Sequence, residues 1–310
     1  MFKKIIAALK ALSEFRLIPQ HLRRVSEHTE ACRRQATLAS RMLASAERDR
    51  ILTNEEIKNP LRLERFGYKG FSQNDEDGIL QEIFSRIGTT DRCFIEFGTG
   101  DGRENNTVFL LCCGWSGLWI DGSERDHQSQ RNYFSWAIKK GLLKSVCRFL
   151  STSNINEVIR EAGLAGSIDL LSIDVDGNDY HLWKAIDVVQ PRVVVIEYNA
   201  YAPPPVEWVM AYDPEYAWDG KSYYFSASLK SLELLGKTKG YTLVGCNLSG
   251  LNAFFVRSDI AAEKFVGNST AEYLFHPRRW WMDCMFTTGC IPFDRPGIAQ
   301  EFQASSRSKV

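Results

Sequence analysis

Apolar and polar positions give the chain two different rhythms. Near the start Phe2, Ile5, Ile6, Leu9, Leu12 and Phe15 recur every three to four residues, with Lys3, Lys4 and Lys10 mostly off the stripe. That is the period of a helix with one apolar face. Pro19 breaks this pattern, and from about His21 to Arg50 an Arg/Glu/Ala/Leu-rich run without Gly or Pro is again helical. From Cys93 the rhythm changes to short apolar runs alternating with helical ones. The runs 93–97, 117–120, 146–150, 170–173 and 193–197 read as strands. Between them, 105–113, 126–140, 154–162 and 180–186 read as helices. A long insert follows, then a helix over 228–239 and two β-rich runs, 241–246 and 253–257.

Strands this uniformly apolar are buried on both faces, as in a parallel sheet covered by helices. The last two are joined by only Asn247-Leu-Ser-Gly-Leu-Asn252, too short for a parallel crossover, so the sheet ends in an antiparallel hairpin. The expected fold is α/β: a doubly wound, mostly parallel, seven-stranded sheet with an N-terminal helical arm. The expected divisions are the arm at 1–60, the α/β domain at 61–260 with an aromatic lid insert at 199–227, and an extension at 261–310 ending in a disordered polar tail after Gln303.

Composition narrows the function classes. Of 310 residues 44% are apolar and 25% charged, enough for a core. The 38 Lys and Arg balance 38 Asp and Glu, which argues against a bulk nucleic-acid binder. The balance hides an asymmetry: residues 1–50 hold 11 basic and 5 acidic side chains, a net of +6, leaving −6 on the remainder. This basic stripe suits packing on its own domain, self-association or peripheral contact with a membrane face. No apolar run approaches the roughly 18 residues of a membrane span. Lys10 interrupts the N-terminal apolar stretch and no small-x-small site follows, so export is not expected. The eight cysteines form no C-x-x-C pair and read as free or buried thiols of a cytoplasmic, reducing compartment. The five histidines are scattered, so no Cys/His zinc site is expected.

The sharpest motif is Phe94-Ile-Glu-Phe-Gly-Thr-Gly-Asp-Gly102, leaving a strand for a helix. Glycines at such a corner let the chain turn tightly and a ligand approach the backbone. Arg103 stands where a dinucleotide fingerprint needs a small residue, which disfavours a pyrophosphate grip. Glu96, Gly98, Gly100, Asp101 and Gly102 are therefore the candidate shelf for a nucleoside ligand without phosphates. Asp121 ends the next strand, 19 residues beyond Gly102, at the spacing of a ribose-gripping acid.

The fourth strand ends in Asp174-Val-Asp176-Gly-Asn-Asp179-Tyr-His181 and the fifth in Glu197-Tyr-Asn199. Ligands bind outside the carboxyl ends of such strands. Asp174, Asp176 or His181 are candidate general bases beside an acceptor hydroxyl. An oxygen-ligand Mg²⁺ site from Asp174, Asp176, Glu197 and Asn199 is the alternative use of the same groups. Asn178 and Asp179 read as turn and cap residues.

Four segments together resemble the FkbM-like methyltransferases. They are Phe71-Ser-Gln-Asn-Asp-Glu-Asp-Gly-Ile-Leu80, the Phe94–Gly102 motif, Gly114-Trp-Ser-Gly-Leu-Trp-Ile-Asp-Gly122 and Leu171-Ser-Ile-Asp-Val-Asp-Gly-Asn-Asp-Tyr180. The resemblance spans roughly residues 65–258. Many members carry Asp-Val-Glu-Gly where this chain has Asp174-Val-Asp176-Gly. It implies a Rossmann-like methyltransferase fold, S-adenosylmethionine as cofactor, and O-methylation of a sugar or glycan hydroxyl as the activity. It also implies a place near the cofactor for Gln73, in a segment that reads equally as a helix cap at Ser72. Asp174 then borders the methyl site as well.

The insert 199–227 holds eight aromatic residues in 29, more than twice the 12% of the whole chain. Aromatic faces with polar edges suit a sugar. His276-Pro-Arg-Arg-Trp-Trp281 is a second aromatic, basic patch that suits an anionic or glycan acceptor. Two other classes remain: an NAD(P)-dependent oxidoreductase, and a non-catalytic glycan-binding or membrane-associated scaffold on the same fold.

Overall fold

The computed structural model describes residues 2–282, with side chains from residue 26. The expected disordered tail, and Cys284 and Cys290, lie outside the described residues. The chain divides into two units, 1–50 and 51–310. In the first, helix α1 (Phe2–Leu52) begins and runs on without interruption. Pro19 lies inside it and does not end it. Proline removes one N–H and crowds the preceding turn, at a cost of about 3 kcal/mol. The long helix-forming run that follows carries the helix through it. No helix among the described residues is long and apolar enough to cross a membrane.

The second unit is built on seven strands: β1 (Cys93–Phe97), β2 (Ser116–Asp121), β3 (Leu143–Cys147), β4 (Gly166–Ile173), β5 (Val189–Glu197), β6 (Tyr241–Cys246) and β7 (Asn252–Arg257). Their order in the sheet is β3-β2-β1-β4-β5-β7-β6. The first five are parallel, and β7 lies antiparallel between β5 and β6. The expected doubly wound sheet with a terminal hairpin is the one observed.

Alternation along each strand feeds two cores. Ile95, Phe97, Leu118, Ile120, Leu171, Ile173, Val194 and Ile196 face one layer. It contains α6 (Ile155–Glu161), α7 (Asp179–Ala185) and α8 (Leu229–Thr238). Phe94, Trp119, Leu170, Val193 and Val195 face the other. That layer is covered by α2 (Glu76–Ile87), α3 (Val108–Cys112) and α5 (Ser135–Lys139). A parallel sheet wrapped on both faces needs strands that are apolar on both faces, which these are.

Three boundaries differ from the sequence expectation, each for a local reason. The helix expected from 105 starts at Val108, because the amides of Asn106 and Thr107 bond to the Glu96 carboxylate. The helix expected over 126–140 is two, α4 (Glu124–Tyr133) and α5, divided at Phe134, and Ser123 caps α4 through the Asp126 amide. The third strand begins and ends three residues earlier than expected. After Cys147 the Arg148 amide bonds to Asp121 O and the chain turns away, leaving Phe149 half exposed.

The order reverses at β1 and β4, which are neighbours. Their carboxyl ends, with those of β2 and β5, open onto one crevice, the usual ligand mouth of such sheets. Asp121 and Glu197 end β2 and β5 there, and Gly98 and Asp174 directly follow β1 and β4.

Candidate functional site

The β1 corner is held by Glu96 from below. Its carboxylate accepts from Asn106 N at 2.8 Å, Thr107 N at 3.2 Å, Thr107 Oγ1 at 2.5 Å and Ser172 Oγ at 3.3 Å. Burial pushes it up to about 7 against these bonds, which pull it down. Glu96 thus spends its oxygens on the loop that follows β1 and on Ser172 of β4.

The glycines divide by what surrounds them. Gly98 has φ +67°, and a Cβ there would lie 1.5 Å from Asp174 O, so β1 and β4 close on each other at this point. Gly100 has φ +46°, and a Cβ there would meet no heavy atom within 4 Å. Gly102 is packed against Phe134 and Trp119 instead. Asp101 pairs with Arg103, at 2.8 Å from Nε. Neither Asp101 nor Gly102 lines the hollow that Gly98 and Gly100 open onto. Both shape the turn.

That first hollow is about 470 Å³. Asp121 stands on its rim and accepts from Gly100 N and Ser123 N, each at 2.7 Å. Burial raises its pKa, and those two amides oppose the rise. Buried Gln130 fixes the same loop, donating to Gly100 O at 2.6 Å and Thr99 Oγ1 at 2.8 Å. Phe149, Asp176, Tyr216 and Trp218 complete the walls. Phe149 was not among the expected site residues. Its only signal in the sequence was an aromatic just past a strand end, which there read as part of the strand.

A second hollow, of about 270 Å³, adjoins the first and shares Asp176 and Trp218 with it. It is lined by Asp174, Asp176 and Glu197, by Tyr201, Trp218, Tyr223 and Trp280, and by Lys221 and Arg278. Gln73 lines this hollow and not the one with Gly98, Gly100 and Asp121. Both aromatic patches of the sequence meet here. Trp280 Nε1 donates to Tyr201 Oη at 2.8 Å, Tyr201 packs on Tyr223 at a tilt of 47° with centroids 4.3 Å apart, and Arg278 lies over the Trp280 ring at 3.9 Å.

One oxygen from each of Asp174, Asp176 and Glu197 lies within 4.8 Å of the others. Burial raises the pKa of all three. Neighbouring carboxyls add to the rise: Asp176 for Asp174, Asp174 for Glu197, and Asp121 for Asp176. Glu197 is 7% exposed and its Oε2 is buried without a hydrogen-bond partner. Asp176 sits at φ +55°, an unfavourable conformation for a residue with a Cβ. These carboxyls repel one another when ionised together, so the acidic strand ends favour a retained proton or a bound cation.

Two expected members stand apart. Asn199 donates to Tyr223 O and Phe225 O and accepts from Tyr201 N, so it ties the insert to β5. His181 Nε2 lies 2.7 Å from Met210 O, and the ring packs between Tyr180 and Tyr212. It lines neither hollow. It anchors the insert on α7, where Asn178 Nδ2 also donates to Asp213 O at 2.7 Å. Asp179 accepts from Val175 N and Gly177 N, the turn role expected of it.

No family model and no curated protein matches the chain. Among solved structures it is similar to the methyltransferase domain of bacterial CtHen1-C, with 12% identity and a TM-score of 0.40 over 59% of this chain and 97% of that one. An S-adenosylmethionine-dependent methyltransferase from Clostridium acetobutylicum shares 12% identity, with a TM-score of 0.37 over 68% and 98%. An O-methyltransferase from Bacillus cereus in complex with SAH shares 16% identity, with a TM-score of 0.33 over 52% and 67%.

Proposed function

We propose that the chain is an S-adenosylmethionine-dependent methyltransferase of the FkbM-like kind, acting on a hydroxyl of a sugar or glycan in the cytoplasm. The observation that carries this reading is the junction of two hollows at Asp176 and Trp218, one floored by bare glycine backbone and the other walled by aromatic rings. The first fits the cofactor. Space is open over Gly100, the Phe149 ring is half exposed at its edge, and Asp121 holds the loop with oxygens whose remaining lone pairs suit ribose hydroxyls. When bound, S-adenosylmethionine supplies an activated methyl group on a sulfonium.

The residues of the chain then bind, orient and deprotonate. Tyr201, Tyr223 and Trp280 offer faces for the acceptor ring, and Trp218 and Tyr216 limit water at the junction. Asp176 accepts the hydroxyl proton; its raised pKa brings it closer to that task at neutral pH. Much of the acceleration comes from holding two partners in line.

One observation favours a second use of the acids. The unpartnered Glu197 Oε2 beside Asp174 and Asp176 suits a hard divalent cation such as Mg²⁺, bound by those three carboxylates. Activity that survives chelation in full removes this metal.

The experiment is calorimetry with S-adenosylhomocysteine, followed by transfer of labelled methyl groups to a cell-envelope saccharide mixture. Binding with transfer supports the reading. Absence of binding overturns it, and binding without transfer to any saccharide overturns the acceptor class. A nicotinamide-dependent absorbance change with NAD(P) in its place assigns an oxidoreductase.

A further inference from the structure

The scattered histidines gave no reason to expect a mixed Cys/His metal site, yet the fold assembles one at the edge of the sheet. We propose that Glu124, His127 and Cys147 bind a borderline-soft divalent cation, Zn²⁺ foremost. Glu124 and His127 are three residues apart on α4 and so share one face of it. Cys147 ends β3, the edge strand, in register with Asp121. One ligand atom of each lies within 4.8 Å of the other two.

Chemistry selects the ion. A thiolate, an imidazole and a carboxylate form a zinc donor set, whereas Mg²⁺ and Ca²⁺ prefer oxygen alone. Tetrahedral zinc holds such atoms about 3.5 Å apart. The required contraction falls on Glu124, whose side chain is exposed, while His127 and Cys147 are half-buried and held. His127 Nε2 lies 3.3 Å from Ser145 O. A ring that donates one N–H to a carbonyl presents its other nitrogen as a neutral ligand, the usual outer-sphere support of a zinc-binding histidine. Binding replaces the Cys147 S–H bond with S–Zn and releases the proton to solvent; three protein ligands leave the fourth position to water.

The site braces a wall of the first hollow. Its members alternate along the chain with residues that line that hollow: Ser123 and Asp126 beside Glu124 and His127, and Arg148 beside Cys147. The ion ties the first turn of α4 to the end of β3. It does not depend on the methyl-transfer reading, since no donor or acceptor is needed for it to bind.

The test uses the full chain, stripped with chelator and dialysed against Zn²⁺ or Co²⁺. One bound equivalent is expected, with a thiolate-to-cobalt charge-transfer band and a raised melting temperature. Cys147→Ser should abolish the band, and His127→Ala should weaken binding about tenfold or more. Cys32→Ser and Cys93→Ser should change neither. In wild-type protein, Zn²⁺ should also protect Cys147 from alkylation, read by peptide mass spectrometry, which needs no variant to fold. The proposal is overturned if the wild type binds no metal at micromolar concentration, if Cys147→Ser keeps the band, or if Cys147 alkylates equally fast with and without Zn²⁺.

Discussion

A methyl group added at Gly100 separates ligand space from folding strain. Gly100 has φ +46° and no heavy atom within 4 Å of the position a Cβ would take. Gly100→Ala therefore incurs the left-handed penalty of about 1–2 kcal/mol but meets no steric wall. At about 2–4 °C per kcal/mol for a body of this size, melting should fall by roughly 2–8 °C. Gly114 offers the control: its φ is +83°, a Cβ there is equally unopposed, and it lines neither hollow. Gly114→Ala should lose similar stability and no affinity. Gly98→Ala marks the other extreme. Its Cβ would stand 1.5 Å from the Asp174 carbonyl oxygen, backbone against backbone. A loss above about 4 kcal/mol, or no soluble fold, is expected there. Thermal melts of the three variants, with calorimetry against S-adenosylhomocysteine, read both quantities. Gly100→Ala should bind at least about tenfold more weakly than Gly114→Ala, which is about 1.4 kcal/mol. Equal affinity in those two variants would refute the placement of the nucleoside over Gly100.

Other outcomes follow from the same geometry. Glu96 has its pKa raised by burial to about 7, above its unfolded value, so the native state holds the extra proton and wild type loses stability as pH rises from about 4.5 to 7. Glu96→Gln removes this slope, and urea titrations at pH 5 and 7.5 should show wild type losing about 2 kcal/mol relative to the variant; a pH-independent difference refutes the buried-proton account. Trp280→Ala and Tyr223→Ala should raise the acceptor KM and leave S-adenosylhomocysteine affinity unchanged, since both rings line only the second hollow. A parallel loss of cofactor affinity would count against two separate subsites. Asp169 is fully buried and pairs with Arg192 at 2.7 Å while accepting from the Thr90 and Arg92 amides. Asp169→Ala strands that cation and should cost about 3–5 kcal/mol, seen as a lowered denaturation midpoint.

The order of strands and helices was legible in the sequence because apolar period is a local signal. Uniformly apolar runs such as 193–197 can only be strands covered on both faces, and the short link from Asn247 to Asn252 leaves no route but a hairpin. The glycine corner and the acids at the strand ends were legible for the same reason: each is a property of a few consecutive residues. What each acid does was not. Glu96 turns inward to loop amides, Asp101 to its neighbour Arg103, and His181 to a carbonyl of the insert, because these choices depend on which unpaired groups packing brings near. The meeting of Tyr201, Tyr223 and Trp280, and of His127 with Cys147, joins segments far apart in the chain or on separate elements. Local pattern determined the sheet and its mouth. Only the tertiary structure decided which side chains share it, since contact across the fold leaves no periodic trace along the chain.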